Sequence, residues 1–398
     1  MPLVFVHGVA NRQDDDEQRR AYRRNQEIRD ALFLKYVLER AGSLPASRQI
    51  FNPFWGSAGA VANLSYLPQV GVEGLGGEDV VGEILAQNPL IVQGSGTQKL
   101  LVETARNGSL EQAIDLLWSI ATVEVPAQKL AGLASQAFTL SEYARKNPKP
   151  DWLAVVKDDE AFLRELFDRT RFLETDSPAA GEVEALGTAD VPNEFDEALS
   201  RIQEAALNLA SQKLLDLART SLQRMVTLFF GDVFVYLDDR GSKAQPGKII
   251  QAISQQLDKA LALRTANDPL IVVAHSLGGI ITYDLLSYYR PEIEVDAVVT
   301  VGSQLGMFAV QKLFKLQEDQ PELTLKKPEN VKKVWLNVFD PTDALSFATK
   351  DIVAGVEDLS YSSGVSFFQA HGAYFVRPSF YDRLGERLVK IFAGQGGG

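Results

Sequence analysis

The sequence predicts an α/β protein, a mostly parallel sheet flanked by helices and interrupted by a large helical insertion. Three observations predict it. Short runs rich in Val, Ile and Leu, too short for helices, are each followed by a stretch with helical periodicity. This alternation occurs at both ends of the chain. Between about Ser57 and Phe230 the strand signals vanish and helical ones dominate.

The first strand is Leu3–Val6, ended by Gly8. A helical stretch follows, roughly Asp14–Arg40, with Ile28, Ala31, Leu32 and Tyr36 at helical spacing. Gln49–Trp55 reads as a short strand closed by Gly56. Beyond the insertion, Asp232–Leu237, Leu270–Ala274, Ala297–Val301 and Val334–Phe339 read as buried strands. Helical patterns lie near Gly247–Leu263, Leu277–Tyr289 and Phe308–Leu316, and a last one runs from Ser379 to Phe392. Such alternation implies parallel strands covered on both faces.

Inside the insertion, Phe195, Leu199, Ile202, Ala206, Leu209, Leu217 and Met225 hold a helical stripe, while Gly71–Gly77 and Thr175–Pro192 read as loops. The expected division is an α/β core of residues 1–56 and 231–393, a helical cap or lid of 57–230, and a mobile glycine-rich tail of 394–398.

With 40 Lys and Arg against 52 Asp and Glu, the net charge is −12, which repels nucleic-acid phosphates and gives no general attraction to anionic membranes. There is no cysteine, which excludes disulfides, thiolate catalysis and Cys-based metal sites. The chain runs from Met1 straight into a strand, without the basic and apolar segments of a signal peptide, and carries no apolar stretch of spanning length. The expectation is a soluble cytoplasmic protein, with a signal-independent export route left open.

The strongest local signal is Ile271-Val272-Val273-Ala274-His275-Ser276-Leu277-Gly278-Gly279. A buried strand meets a serine, small residues and then a helix. A serine at such a sharp bend stands above the sheet edge, and the residues two before and two after it must be small; here they are Ala274 and Gly278. The helix after Ser276 aims its amides and positive dipole end at the same place. The plainer alternative is a strand–helix turn holding a small buried serine.

This stretch resembles the nucleophile elbow of the α/β-hydrolases, and particularly the Ala-His-Ser-x-Gly-Gly form of bacterial lipases, in which alanine also replaces the usual first glycine. The resemblance covers about Met1–Gly56 and Gly231–Phe392. It implies an α/β-hydrolase fold with Ser276 as nucleophile.

Acyl transfer requires two backbone N–H groups aimed at the developing oxyanion. In the fold resembled, one follows the nucleophile and the other comes from a loop after an early strand. Val4-Phe5-Val6-His7-Gly8-Val9 occupies that place, so Leu277 and Val9 are the expected donors, with Gly8 letting the backbone turn in closely.

Only three histidines are available as a base. His7 precedes the nucleophile, and His275 adjoins Ser276 with its side chain on the opposite face of an extended segment. Both are expected to shape their loops. His371 lies beyond the last strand expected and before the final helix, where the resemblance places the base.

The acid is sought beyond a strand between serine and histidine. Val338-Phe339-Asp340-Pro341-Thr342-Asp343 offers two aspartates. Asp343 is favoured, and Asp340 is the alternative acid or a residue bonding the turn's own N–H groups.

Ser303, in Gly302-Ser303-Gln304-Leu305-Gly306, lacks the elbow's small residue and is expected to line the pocket or pack the sheet edge. Arg19, Arg20, Arg23 and Arg24 follow acidic residues and read as a self-compensating helix face. No metal-ligand spacing and no phosphate loop occurs, so no metal and no cofactor is expected.

The function these elements imply is cleavage of carboxylic esters by Ser276, His371 and Asp343 through an acyl-enzyme, on a small-molecule ester or lipid. Apolar acyl esters suit the Leu-, Ala-, Val- and Phe-rich insertion. The alternatives are a membrane-acting phospholipase that meets a membrane surface through its cap, and a catalytically silent binding protein. The sequence leaves the oligomeric state open.

Overall fold

A computed structural model describes residues 1–61, 80–86, 88, 99–123, 125–171, 192–207, 226–365 and 370–393. Six strands, β1 (Leu3–Val6), β2 (Ile50–Phe51), β3 (Ile271–His275), β4 (Val295–Val301), β5 (Val331–Phe339) and β6 (Glu357–Ser360), form one sheet. Its order is β2-β1-β3-β4-β5-β6, and every pair is parallel. The order turns back between β1 and β3, and in open parallel sheets the crevice outside the carboxyl ends of such strands is where ligands bind. Val6 pairs with Ala274 and His275 with Val301, so the ends of β1, β3 and β4 open at one edge.

The pleat sends alternate side chains to two cores. Leu3, Phe5, Ile271, Val273, Val299 and Leu336 face one of them. There they meet the helix Asp16–Leu32, its π-helical continuation Phe33–Glu39 and the C-terminal helix Pro378–Ala393. Val4, Val6, Val272, Ala274, Val298 and Trp335 face the other, covered by Lys248–Leu261 and by Leu277–Asp284 with its π-helical end Leu285–Tyr289.

The insertion contributes to both cores. Leu100–Asn107, Leu110–Ala121, Ala127–Lys146, Asp159–Thr170 and Asn193–Leu207 place Leu101, Leu117, Trp118, Leu133, Phe162 and Ile202 in the same apolar cluster as Phe33 and Tyr381. Side-chain caps start three of the helices on this face: Asp15 accepts from Gln18 N, Ser109 from Gln112 N and Asp158 from Ala161 N. Residues 226–239 are helical, run through Gly231, and set Phe229, Val233 and Tyr236 against the second core.

Three expectations are corrected, and one strand is added to them. Asp232–Leu237 is part of that helix and not a strand: Phe229, Val233 and Tyr236 recur at helical spacing, which a short Val- and Phe-rich run conceals. The strand of Gln49–Trp55 is only Ile50–Phe51, since Pro53 has no N–H to extend the ladder. Phe308–Leu316 is broken: Leu305–Val310 and Lys315–Asp319 are separate helices, and Lys312 between them has φ 56°. The edge strand β6 was not expected, because Glu-Asp-Leu-Ser carries no apolar run.

Gly71–Gly77, Thr175–Val191, Leu209, Leu217, Met225 and the tail 394–398 lie outside the described residues. Among the described residues no helix is long and apolar enough to cross a membrane.

Phe33 is fully buried, edge-on to Tyr381 at 4.9 Å and tilted against Phe5 at 6.0 Å. Phe33→Ala should lower the unfolding free energy by about 3–5 kcal/mol, read by chemical denaturation. A loss below about 1 kcal/mol would show that this junction of sheet, first helix and last helix does not carry the core.

Candidate active site

Ser276 stands between β3 and the helix Leu277–Asp284 with φ 53° and ψ −126°. A non-glycine residue held there stores on the order of 1–3 kcal/mol of strain, and persists only where its surroundings over-determine it. Here they do. Ser276 N donates to Val301 O at 2.9 Å, while Ser276 O accepts from Gly279 N at 3.0 Å and from Ser303 Oγ at 2.9 Å. Ser303 therefore braces the bend.

The neighbouring glycines are required by close approach. A Cβ on Gly278 would lie 2.5 Å from Val6 O and 2.8 Å from His7 O, and one on Gly8 would lie 2.8 Å from Ser276 Cβ.

His371, on the short helix Ala370–Ala373, has Nε2 at 2.9 Å from Ser276 Oγ. Its Nδ1 lies 2.9 Å and 3.2 Å from the two oxygens of Asp343. A carboxylate facing Nδ1 holds the proton there and leaves Nε2 to accept from the serine hydroxyl. Asp343 is fixed in turn by Leu345 N at 2.9 Å and Tyr374 OH at 3.0 Å. Tyr374 also accepts from Asp340 N at 2.9 Å. Burial and the Asp343 carboxylate push this phenol above its ordinary value, so it stays a donor.

Asp340 is fully engaged elsewhere. Its Oδ1 accepts from Thr342 N and Oγ1 at 2.8 Å and 2.7 Å, and its Oδ2 from Ser363 N and Oγ, both at 2.7 Å. It clamps the turn after β5 to the segment after β6. Asp343, not Asp340, meets the imidazole.

The other two histidines are struts. His275 Nε2 donates to His371 O at 2.9 Å, and its ring packs on His371 and Phe375. His7 stacks on Trp55 at 4.7 Å; its Nδ1 donates to Gly8 O at 2.8 Å and its Nε2 accepts from Trp55 N at 3.1 Å. Burial, joined for His275 by the neighbouring His371, pushes each imidazole down to about 3, so both are neutral.

These struts shape the loop after β1. Gly8 O accepts from His7 Nδ1 and from Asn11 Nδ2 at 3.0 Å, and Asn11 Nδ2 also reaches Val9 O at 3.1 Å. In a trans peptide the N–H points opposite to the C=O. The Val9 N–H is therefore turned away from the His7–Asn11 pair. Among the described residues no acceptor takes the N–H of Val9 or of Leu277, the first residue of its helix.

Buried Asp232 anchors the next residues. It accepts from Ala10 N and Ala60 N, each at 2.8 Å, and pairs with Arg12, while Ala10 has φ 64°.

The structure thus gathers Ser276, His371, Asp343, Gly8, Val9, Leu277, His275 and Gly278 in one place, with His7 behind the loop. The sequence reading missed Asn11, Asp232, Tyr374 and Gln304, whose Nε2 donates to Leu345 O at 2.7 Å. Tyr374 had a signal, standing one helical turn beyond His371. Among the described residues no group of three His, Asp or Glu is placed to hold a metal.

No family model, no curated protein and no solved structure matches this chain.

Neutral buried histidines have a sign in pH. From the ordinary value of 6.5 down to about 3, the unfolded chain binds a proton on His7 that the folded one does not. The stability this residue contributes is complete above pH 6.5 and is lost as pH falls. His7→Gln should reduce the slope of unfolding free energy against pH in that window by about one proton. An unchanged slope would mean that His7 ionises inside the fold.

Proposed function

We propose that this chain is a serine hydrolase of the α/β-hydrolase type that cleaves carboxylic esters through an acyl-enzyme. One observation carries the reading: an unbroken hydrogen-bonded chain, Ser276 to His371 to Asp343, begins at a left-handed serine between a strand and a helix. The site's position outside the strand ends where the order turns back adds support.

In this reading Ser276 Oγ attacks the ester carbonyl as His371 Nε2 takes its proton. The tetrahedral oxyanion rests on the N–H groups of Val9 and Leu277. Collapse expels the alkoxide, which takes the proton from His371 and leaves as an alcohol. Water then adds to the acyl-enzyme, giving a proton to His371 that returns to Ser276 as the carboxylic acid departs. Asp343 holds Nδ1–H and offsets the positive charge of the imidazolium, remaining ionised throughout.

Apolar acyl groups, lipids among them, suit the exposed apolar side chains on a helix joined to the Val9 loop. Val226, Phe230 and Phe234 stand 37%, 51% and 65% exposed along the outer face of the helix 226–239, whose inner Asp232 anchors the loop bearing Val9.

A fluorophosphonate should label the wild type at Ser276 and leave Ser276→Ala unlabelled with its circular dichroism unchanged. Persistent labelling of the variant would place the nucleophile elsewhere. Asp343→Asn should lower kcat by about 10³–10⁴-fold with little change in KM, because an amide no longer fixes the tautomer or offsets the imidazolium. Near wild-type turnover in this variant would remove Asp343 from the mechanism.

A further inference from the structure

Gln304 follows β4 and is fully buried. Its Nε2 donates to Leu345 O at 2.7 Å and to Gly302 O at 3.1 Å, and lies 3.5 Å from Ser276 Oγ. Two carbonyl acceptors at one end of the carboxamide require the nitrogen there, so the oxygen is fixed at the other end. No donor among the described residues reaches that oxygen. Amide bond lengths put nitrogen and oxygen about 2.2 Å apart, so Oε1 lies within about 6 Å of the nucleophile.

A buried amide oxygen without a donor is unfavourable, and the cost is lifted when a donor arrives. The carboxamide that carries Oε1 has its other end beside Ser276 Oγ, so an ester bound at Ser276 is the nearest source of a donor. The reacting carbon bonds to Ser276 Oγ, which brings groups a few bonds away within range of Oε1.

We propose that Gln304 is a specificity determinant whose Oε1 accepts a hydrogen bond from the substrate, so that the preferred esters carry a hydroxyl or amide N–H two to four bonds from the reacting carbonyl. This rests on Ser276 being the nucleophile. No bond is made or broken at Gln304. Its amide nitrogen meanwhile ties the segment carrying Asp343 to the end of β4. A methyl group in place of the substrate's hydroxyl fills the same volume and leaves Oε1 unpaired, so the site selects by hydrogen bonding beyond what apolar packing achieves.

The test compares isosteric ester pairs on the full chain: nitrophenyl glycolate against propionate, nitrophenyl lactate against isobutyrate, and, on the alcohol side, hydroxyethyl butyrate against propyl butyrate. Each kcat/KM is divided by the hydroxide-catalysed rate of the same ester. The wild type should favour the hydroxyl member of at least one pair by about tenfold or more. Gln304→Met should abolish the preference, and Gln304→Glu, which keeps an acceptor, should retain it.

Equal rates within every pair in the wild type overturn the proposal without reference to any variant, as does a preference that survives in Gln304→Met. If the wild type shows no preference while Gln304→Met slows deacylation equally for both members, Oε1 serves the attacking water and the substrate role is lost. Fluorophosphonate labelling on the same preparations separates the two failures. Labelled Ser276 without preference removes only the Gln304 role, and unlabelled Ser276 removes both.

Discussion

The site depends on one constraint, a serine backbone forced into the left-handed region at the end of a central strand. Ser276 at φ 53° turns the chain so sharply that the loop after β1 must pass directly over the bend. The space left there is smaller than a methyl group. Added carbons at Gly8 and Gly278 would meet Ser276 and the backbone of Val6, and one at Gly279 would lie 2.4 Å from Ser303 Oγ. Gly302, with φ 57°, carries the same demand to the next strand, beside Asp343 and Tyr374. These glycines are the packing condition of the bend.

Surroundings separate the three histidines into roles. His7 and His275 each have a ring nitrogen committed to a carbonyl oxygen, which accepts and never donates, so each proton is fixed and the ring acts as a spacer. His371 instead lies between a carboxylate and a hydroxyl, a pair of partners between which a proton can shift. The two aspartates divide the same way. Asp340 has four protein donors and no capacity left, while Asp343 keeps its outer oxygens for an imidazole and a phenol. Titratable side chains near the serine number more than the chemistry needs, and their hydrogen-bond partners decide which ones take part.

Much of this was legible in the sequence, because its signals are local. Leu3–Val6, Leu270–Ala274, Ala297–Val301 and Val334–Phe339 are short and mostly apolar, and the Ala-His-Ser-x-Gly-Gly stretch carries the bend within itself. The rest lies in long-range pairings or in ambiguous runs. Asp232 bonds Ala10 from 222 positions away, and Asn11 matters through a carbonyl's direction that no residue pattern encodes. Asp232–Leu237 reads as a strand by its Val and Phe content, and it belongs to the helix 226–239 because Phe229, Val233 and Tyr236 find a common apolar face. Gln304 carries no local signal, because its approach to Ser276 Oγ depends on the turn after β4 and on the carbonyls of Gly302 and Leu345.

The pairing of Asp232 with Arg12 also has an electrostatic consequence for the mechanism proposed. A buried carboxylate bonded to the residue after a proposed oxyanion donor would oppose the negative charge that grows on the substrate oxygen, in a region that water screens poorly. Arg12 offsets that charge through contacts to both carboxylate oxygens. The loop thereby gains two carboxylate-anchored amides, Ala10 and Ala60, without a net negative field at Val9. In the mechanism proposed, Asp343, on the other side of the serine, would be offset when His371 takes up a proton, in step with the appearance of the oxyanion. One ion pair is therefore neutral at rest and sets geometry, while the other would become neutral during the proposed reaction and favour its progress. The same residue type would serve both because the standing cation beside Asp232 is replaced, beside Asp343, by an imidazole.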